Sequence, residues 1–456
     1  MTDGMDLEVL AREWVWKGGD LIGKEVNIEV FVQEYRGLTV RVFNREVEAL
    51  RYSHHAGVGV RAISGGRLGY AYSTGLDWED GRKAVEEAAS NARYSSPDEN
   101  NILPEGAAYG VEELGIFDPE TEDKPSAEKV EMALELEELV LSEDRRINRV
   151  ESAVYSDAVS RVAVANTSGV AGSYRSSDSY CYVFPIAQEG EETQSGFSFD
   201  LGVKPSDLDL EKVAREASER AVCLLGSRSM PSRRSTVVLD SFVAAEFMGL
   251  LASALSAEAV LKGRSFLAGR VGDEIASPLV TLIDDGLLPG APGTAPFDDE
   301  GVPSRRKELV GEGVLNGYLH NTYTASRSGT SSTGNASRST FRDRPRVGAS
   351  NLFLLPGSGD REEIMKEVGG GVLILQVVGV HAGANPVSGE ISLGALGLSL
   401  EGGSPAQPLR EITLAGKAVD FLKNMVLVGD DLRFLPFEGS LGAPTLAIEG
   451  VMISGR

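Results

Sequence analysis

The pattern of the sequence changes near residue 230, and this change limits the folds that the chain can adopt. Before it, segments with helical periodicity alternate with segments in which every second residue is apolar. After it, and above all beyond Gly263, glycines, short apolar runs and turn residues dominate. The sequence therefore predicts an α+β chain of two domains. We expect residues 1–230 to form helices packed on a mixed or antiparallel sheet, and residues 231–456 to form a β-rich domain that is barrel-like or sandwich-like.

Two hairpins and a capped helix are predicted in the first hundred residues. Arg36 and Gly37 separate two alternating segments, and Ser64–Gly66 separate two more. Glycine-containing turns between such segments are typical of hairpins. Asp77 can accept backbone N–H groups at the start of a helix that reaches about Tyr94. Both hairpins should belong to the sheet of the first domain.

The charge of the chain excludes several partners. It has 44 Lys and Arg against 68 Asp and Glu, a formal net charge of −24, so the molecule as a whole repels nucleic acid and anionic lipid. No apolar run is long enough to span a membrane. Residues Met1–Asp6 are acidic, whereas a signal peptide begins with basic residues. We expect a soluble cytoplasmic protein with neither a nucleic-acid nor a membrane partner, in which Cys181 and Cys223 are buried thiols.

The common catalytic motifs are absent. The chain has no GxSxG, GxxxxGK[ST], helix-opening GxGxxG or CxxC sequence, so we assign no catalytic, cofactor-binding or metal-binding residue. Its histidines are His54, His55, His320 and His381, and no two of them have the spacing of a helical zinc site. A zinc ion held by His320, His381 and a distant carboxylate is an open alternative. Histidines at the surface or in hydrogen bonds are the favoured interpretation.

A basic island lies between residues 325 and 346. Its Ser, Thr, Gly and Asn residues can present hydroxyls and backbone N–H groups, and guanidinium groups can bind carboxylates with two hydrogen bonds. A peptide-binding or partner-binding loop is one hypothesis, and a solvated loop whose arginines pair with nearby acids is the other. The arginines are Arg327, Arg338, Arg342, Arg344 and Arg346, and the predicted peptide or partner contacts are Thr333, Gly334, Asn335 and Arg338.

Several segments together resemble the TldD/PmbA family in order and spacing. Each of them alone is an ordinary strand, turn or acidic loop, and it is their combination that carries the resemblance. They extend over most of the chain and comprise Gly57–Arg61 (GVGVR), Ser265–Ser277 (SFLAGRVGDEIAS), Val280–Gly286 (VTLIDDG), Phe297–Pro303 (FDDEGVP), Gly313–Leu319 (GVLNGYL), Ser332–Ala336 (STGNA), Gly394–Gly397 (GALG) and Glu411–Gly416 (EITLAG).

The resemblance implies a cytoplasmic peptidase system of two subunit types. The TldD-like type binds zinc through HExxxH, the TldE/PmbA-like type lacks this motif, and their dimer admits unfolded peptides. In an ungapped register the motif falls on Met248–Ser253, which contains neither histidine nor glutamate. No histidine occurs between His55 and His320, and the cysteine that metal-bearing members place near the C-terminus is also missing. The chain therefore resembles the type without zinc.

Four functional hypotheses follow. The first is a TldE/PmbA-like subunit that shapes the peptide cavity while zinc is bound by a TldD-like partner. The second is a free-standing homodimeric peptide-binding or regulatory protein of the gyrase-modulator type, without turnover. Contact with a topoisomerase or DNA, implied by the family's other name, is disfavoured by the acidic charge. A hard metal on Asp298, Asp299 and Glu300 is disfavoured because acidic loops usually face water.

Overall fold

The computed structural model of the chain describes residues 5–106, 114–435 and 440–455. The first four residues, on which part of the expectation about the N-terminus rests, lie outside these ranges. None of the helices in the described ranges has the length and apolar character needed to cross a membrane.

The N-terminal part is an antiparallel sheet covered by helices, as the sequence predicts. Its strand order is β3-β2-β1-β4-β5-β6, with β7 also paired to β5. The strands are β1 (Asn27–Phe43), β2 (Glu46–Ser64), β3 (Arg67–Ser73), β4 (Ile147–Asn166), β5 (Ala171–Glu189), β6 (Glu192–Ser195) and β7 (Ser198–Gly202). The helices are α1 (Leu7–Ile22), α2 (Trp78–Tyr94), α3 (Glu120–Asp123), α4 (Ser126–Glu143) and α5 (Leu210–Cys223), with a 3₁₀ turn at Pro205–Asp207.

Side-chain alternation along β1 decides what each face of this sheet contacts. Ile28, Val30 and Val32 are buried against α1 and α2, since successive side chains of a strand point to opposite faces. Glu29 and Phe31 therefore point to the other face, where they meet residues of the C-terminal part. Helices thus cover one face, and the C-terminal part covers the other near this end of β1.

The first predicted hairpin turn is wrong. Arg36 and Gly37 lie inside β1, which pairs on both sides and continues to Phe43. The chain turns instead at Asn44 and Arg45, two non-glycine residues with φ near +60°. The buried carboxylate of Glu137 in α4 accepts both backbone N–H groups, at 2.9 and 2.6 Å, and so stabilises a turn that glycine would otherwise favour.

The second hairpin and the helix cap are confirmed. β2 and β3 are joined by Gly65 and Gly66, both of which have positive φ. Asp77 accepts the backbone N–H of Asp80 at the start of α2. In both cases the residues of the turn or of the cap were sufficient to predict the local structure.

The C-terminal part contains a closed barrel, which confirms the β-rich, barrel-like prediction. β17, β16, β15, β8 and β21 follow one another, and pairing of β17 with β21 closes the ring. The strands are β8 (Arg233–Leu239), β9 (Leu282–Asp285), β10 (Arg306–Gly311), β11 (Val314–Leu315), β12 (Ala336–Ser337), β13 (Arg346–Val347), β14 (Asn351–Leu354), β15 (Gly370–Val378), β16 (Glu390–Glu401), β17 (Ser404–Lys417), β18 (Met425–Val428), β19 (Arg433–Leu435), β20 (Ser440–Ala443) and β21 (Leu446–Ser454).

A second sheet and short helices complete this part. The sheet has the order β11-β10-β9-β14-β20-β19, and its β14–β20 pair is parallel. β12 and β13 form a separate two-stranded ribbon. The helices are α6 (Ser241–Leu255), α7 (Ala257–Leu261), α8 (Thr322–Ser328), α9 (Arg361–Val368), α10 (Val380–Gly383) and α11 (Ala418–Lys423).

Helix α6 lies in the main core of the C-terminal part. Phe247, Met248, Leu251 and Leu255, whose spacing in the sequence is that of one face of a helix, are buried. The helix is apolar on nearly all sides and contacts strands of both the barrel and the second sheet, as expected for an enclosed helix. Helix α6 ends at Leu255, and α7 begins after Ser256, which has an extended backbone.

Candidate functional site

The segment that the resemblance aligns with the zinc motif is part of the apolar core. Met248 and Leu251 are buried, and Ser253 points to solvent. Residues Met248–Ser253 carry no imidazole, thiolate or carboxylate, which are the side chains that bind zinc in proteins. Within the described residues, moreover, no three His, Cys, Asp or Glu side chains are gathered in a group that could hold a metal. These residues do not fit a zinc ion.

The histidines do not change this conclusion. His54 is exposed and lies 3.1 Å from the carboxylate of Glu34. His320 is buried, its pKa is lowered by burial, and its Nδ1 has no hydrogen-bond partner among the described residues. The side chain of His381 lies outside what the structure describes, so its part in the alternative zinc site stays a prediction.

The acidic loop 298–301 is folded inward, contrary to the expectation that it faces water. Asp298 is buried and accepts backbone N–H groups from Glu300, Val302 and Ala336 at 2.8–3.0 Å. Burial and the neighbouring Glu300 raise the pKa of Asp298, and the three N–H groups oppose this rise. The Asp298 carboxylate therefore organises the loop.

The other two acids of this loop also have partners inside the protein. Asp299 accepts the backbone N–H of Arg338 at 2.6 Å, and burial raises its pKa to about 6 although Arg338 opposes the rise. Glu300 accepts the backbone N–H of Thr322 at 2.8 Å and binds Arg61 at 2.7 Å. Each carboxylate is thus engaged by a different part of the chain, and the loop is not arranged as a hard-metal site.

Four buried charges join the N-terminal sheet to the C-terminal part. Arg61 of β2 binds Glu29 of β1 and Glu300, while Arg338 also binds Glu29. All four side chains are at most 6% exposed. Burial alone would raise the pKa of Glu29, but the guanidinium groups of Arg61 and Arg338 hold it below its ordinary value. We refer to Glu29, Arg61, Glu300 and Arg338 as the charge network.

Of the four residues predicted to contact a peptide or partner, Arg338 belongs to this network and the other three precede it in the same loop. Thr333 binds the main chain of His320, and Asn335 donates to Asp284 and to the carbonyl of Gly348. Gly334 has φ near +72° and lies so close to the main chain of Pro303 that a side chain would collide with it. Asn335 and Arg338 are buried, so the interpretation of a solvated loop does not apply to them. Contact of the four residues with a peptide or partner stays a prediction.

A large polar cavity adjoins the charge network. Its volume is about 1330 Å³, and Arg61 and Glu300 form part of its wall. The remaining walls come from the β2–β3 turn, residues 95–102, α7, the start of α8 and residues 342–346. The sequence indicated the basic segment 342–346. Nothing in the sequence of residues 95–102 indicates that they line a cavity. We take this interdomain cavity as the candidate functional site.

Comparison with protein families matches nearly the whole chain. Models described as PmbA/TldA metallopeptidase domain 1, central domain and C-terminal domain match residues 28–92, 119–225 and 232–455. The metalloprotease PmbA of Escherichia coli is 28% identical over 419 residues, which are 90% of this chain and 89% of that protein. The chain belongs to the PmbA/TldD family.

Other members of the PmbA/TldD family agree with this assignment. A Haemophilus influenzae homologue of metalloprotease TldD is 25% identical, covering 88% of this chain and 86% of that protein. A Thermotoga maritima structure named as a modulator of a DNA gyrase is 30% identical, with a TM-score of 0.89 over 97% of this chain and all of that one. Thermococcus kodakarensis TldE has the same fold, with a TM-score of 0.90 and 24% identity over 98% of this chain and all of that one.

Proposed function

We propose that the chain is a TldE/PmbA-like subunit of a cytoplasmic TldD/TldE-type metallopeptidase system. In this proposal it pairs with a TldD-like subunit, helps to enclose unfolded peptides, and has no catalytic turnover by itself. The observation that carries the proposal is that the segment Met248–Ser253 has no metal-binding side chain and packs into the core through Met248 and Leu251, in a chain whose relatives are named metalloproteases. A zinc-dependent reaction needs donor side chains and a group that handles the activated water, and this segment supplies neither. Zinc is therefore expected on the partner.

The interdomain cavity supports the peptide-binding part of the proposal. Its volume exceeds the 300–1,000 Å³ that is common for small-molecule pockets, so an extended peptide segment is a suitable ligand. The charge network fixes Arg61 and Glu300 in its wall, which preorganises the cavity. The chain would thus contribute to proteolysis by holding and orienting peptides.

The proposal can be tested by reconstitution. The chain is purified alone and together with a TldD-like protein from the same organism, and zinc content and cleavage of an unfolded protein are measured for both preparations. We expect the mixed complex to contain zinc and to cleave the substrate until a chelator is added. The isolated chain should show neither property. The two proteins should also co-purify with a defined stoichiometry, because the activity is expected to depend on their complex.

Two outcomes would contradict the proposal in different ways. Stoichiometric zinc in the isolated chain, with chelator-sensitive cleavage, would show that donor residues exist elsewhere in the protein. An inert homodimer that binds unfolded peptides but has no affinity for a TldD-like protein would instead support the regulatory alternative. A TldD-like protein in which the metal motif is mutated provides the control, because its complex with the chain should form and remain inactive.

A further inference from the structure

Three guanidinium groups line one side of the interdomain cavity without an ion-pair partner among the described residues, although one of them, that of Arg342, lies 5.5 and 5.9 Å from the rings of Phe341 and Tyr72. They belong to Arg342, Arg344 and Arg346, which we refer to as the arginine wall. All three residues are exposed, and none of the carboxylates in the described part of the chain lies within 4 Å of their charged nitrogens. In a protein with a net charge of −24, three arginines within five residues that form no ion pair in the described part of the chain are a distinct local feature. They are available to a ligand.

The backbone that carries the arginine wall is fixed from several directions. Thr340 closes a turn by accepting the N–H groups of Arg342 and Asp343. The ring of Phe341 is buried and the backbone N–H of Phe341 donates to Gln33, while Arg346 is the first residue of β13 and pairs with Ser337 of β12. The wall is therefore held in place before a ligand arrives, which lowers the entropy lost on binding.

The other two cations that line the cavity are already engaged within the protein. Arg61 is bound to Glu29 and Glu300, and Lys262 is bound to Glu258. On the arginine wall itself, Asp343 accepts the hydroxyl of Thr340. The guanidinium groups of the wall are thus the cations of this cavity that can add a new charge-assisted hydrogen bond without first breaking an ion pair.

We propose that the arginine wall binds carboxylates of acidic peptide segments, so that the cavity favours peptides with closely spaced Asp or Glu residues. A guanidinium group matches a carboxylate with two parallel hydrogen bonds, and three such groups within five residues can bind more than one carboxylate of the same peptide. The inference rests on the proposed function for the class of ligand, a peptide, and adds the chemistry that selects it. It concerns binding by this chain and not cleavage by a partner.

Fluorescence anisotropy with the isolated full chain tests the inference directly. Labelled twelve-residue peptides of alternating Glu and Ser, of Gln and Ser, and of Lys and Ser serve as probes at low salt. We expect the Glu peptide to bind at least about tenfold more tightly than the Gln peptide, a ratio within the range of one charge-assisted hydrogen bond. The preference should weaken as salt is raised, because the wall is solvent-exposed.

Two triple variants separate the site from the overall charge. Changing the wall to Arg342→Gln, Arg344→Gln and Arg346→Gln should abolish the preference for the Glu peptide. The control, Arg215→Gln, Arg264→Gln and Arg410→Gln, alters exposed arginines outside the cavity and gives the same net charge, and it should retain the preference within about twofold. Circular dichroism and the urea midpoint verify that both variants are folded.

The possible outcomes each decide the question. Equal affinity for Glu and Gln peptides, an unchanged preference in the wall variant, or an equal loss in the control would overturn the inference. If reconstitution with a TldD-like protein yields no peptidase but the Glu preference depends on the wall, the proposed function fails and the binding site stands. If the mixed complex cleaves peptides while the isolated chain shows no Glu preference, the proposed function stands and only this inference fails.

Discussion

Helix α6 and the charge network are both buried, but they are stabilised by opposite means. Helix α6 buries side chains such as Met248 and Leu251 among other apolar groups, and its stability comes from excluding them from water. The charge network removes Glu29 and Arg338 from water and restores their interactions only through one another and their neighbours. The first region tolerates changes that keep its volume, whereas the second tolerates none that leave a charge unpaired.

This difference separates the parts of the molecule that build the fold from those that build the site. The helix lies where metal-bearing relatives are expected to carry their zinc ligands, yet here it is ordinary core. The charge network joins strands β1 and β2 to the acidic loop 298–301 and to Arg338, which follows β12, and it reaches the cavity wall through Arg61 and Glu300. The distinctive polar chemistry therefore lies at the junction of the two parts, and not in the largest core.

Breaking the charge network should have the largest effect. Arg338→Ala leaves Glu29 with Arg61 as its remaining partner and removes a guanidinium group that also lies 4.6 Å from the ring of Phe31. We expect the free energy of unfolding to fall by about 3–5 kcal/mol, because an uncompensated charge remains buried. Urea unfolding followed by tryptophan fluorescence measures the change.

An arginine on the same loop provides the matched control for this prediction. Arg342→Ala removes the same charge from an exposed side chain and should change the free energy of unfolding by no more than about 0.5 kcal/mol. Equal effects of the two substitutions would mean that the network is no more important to the fold than a surface charge. The contrast between helix α6 and the network would then be lost.

A cavity-forming substitution in helix α6 should lower the free energy of unfolding by a somewhat smaller amount. Leu251→Ala creates a cavity in a well-packed core and should lower the free energy of unfolding by about 3 kcal/mol. Ser253→Ala, two positions later on the exposed side of the same helix, should have almost no effect. The two denaturation curves give the difference directly, and similar midpoints for both variants would show that α6 is not packed as described.

The apolar region could be predicted from the sequence, and the charged region could not. The spacing of Phe247, Met248, Leu251 and Leu255 contains the information needed to place α6 in a core. Glu29 and Arg338 are 309 positions apart, and nothing local to either residue indicates the other. Glu137 likewise fixes the turn at Asn44 from 93 positions away in the sequence. Gly37 was the stronger local signal for a turn, but the chain turns elsewhere because of this distant contact.

The candidate site shows the same division between local and distant information. The concentration of arginines at 342–346 is visible in the sequence, and the structure brings them to a cavity wall. Arg338 has the same residue type in the same segment, yet it is buried in the network because Glu29 lies opposite. Composition therefore identified the basic segment, but only the packing of the two parts separated its structural arginine from its available ones.

The smallest expected effect concerns the pH dependence of the charged region. Burial raises the pKa of Asp299 to about 6, so its folded form holds the proton more tightly than its unfolded form. This contribution to stability is complete below the ordinary Asp pKa of about 3.9 and is lost as the pH rises through about 6. Asp299→Asn removes the carboxyl group but keeps an oxygen for the N–H of Arg338, so stability should decline less between pH 4 and pH 6.

We expect Asp299→Asn to change this decline in the free energy of unfolding by about 1 kcal/mol, which is less than the full linkage value because the side chain is only half-buried. Urea midpoints at pH 4.5, 5.5 and 7 measure it against Asp343→Asn, an exposed acid on the neighbouring loop. If the urea midpoints of the native chain and of Asp299→Asn changed in parallel with pH, Asp299 would titrate like a surface carboxyl. The buried surroundings of the charge network would then not include this residue.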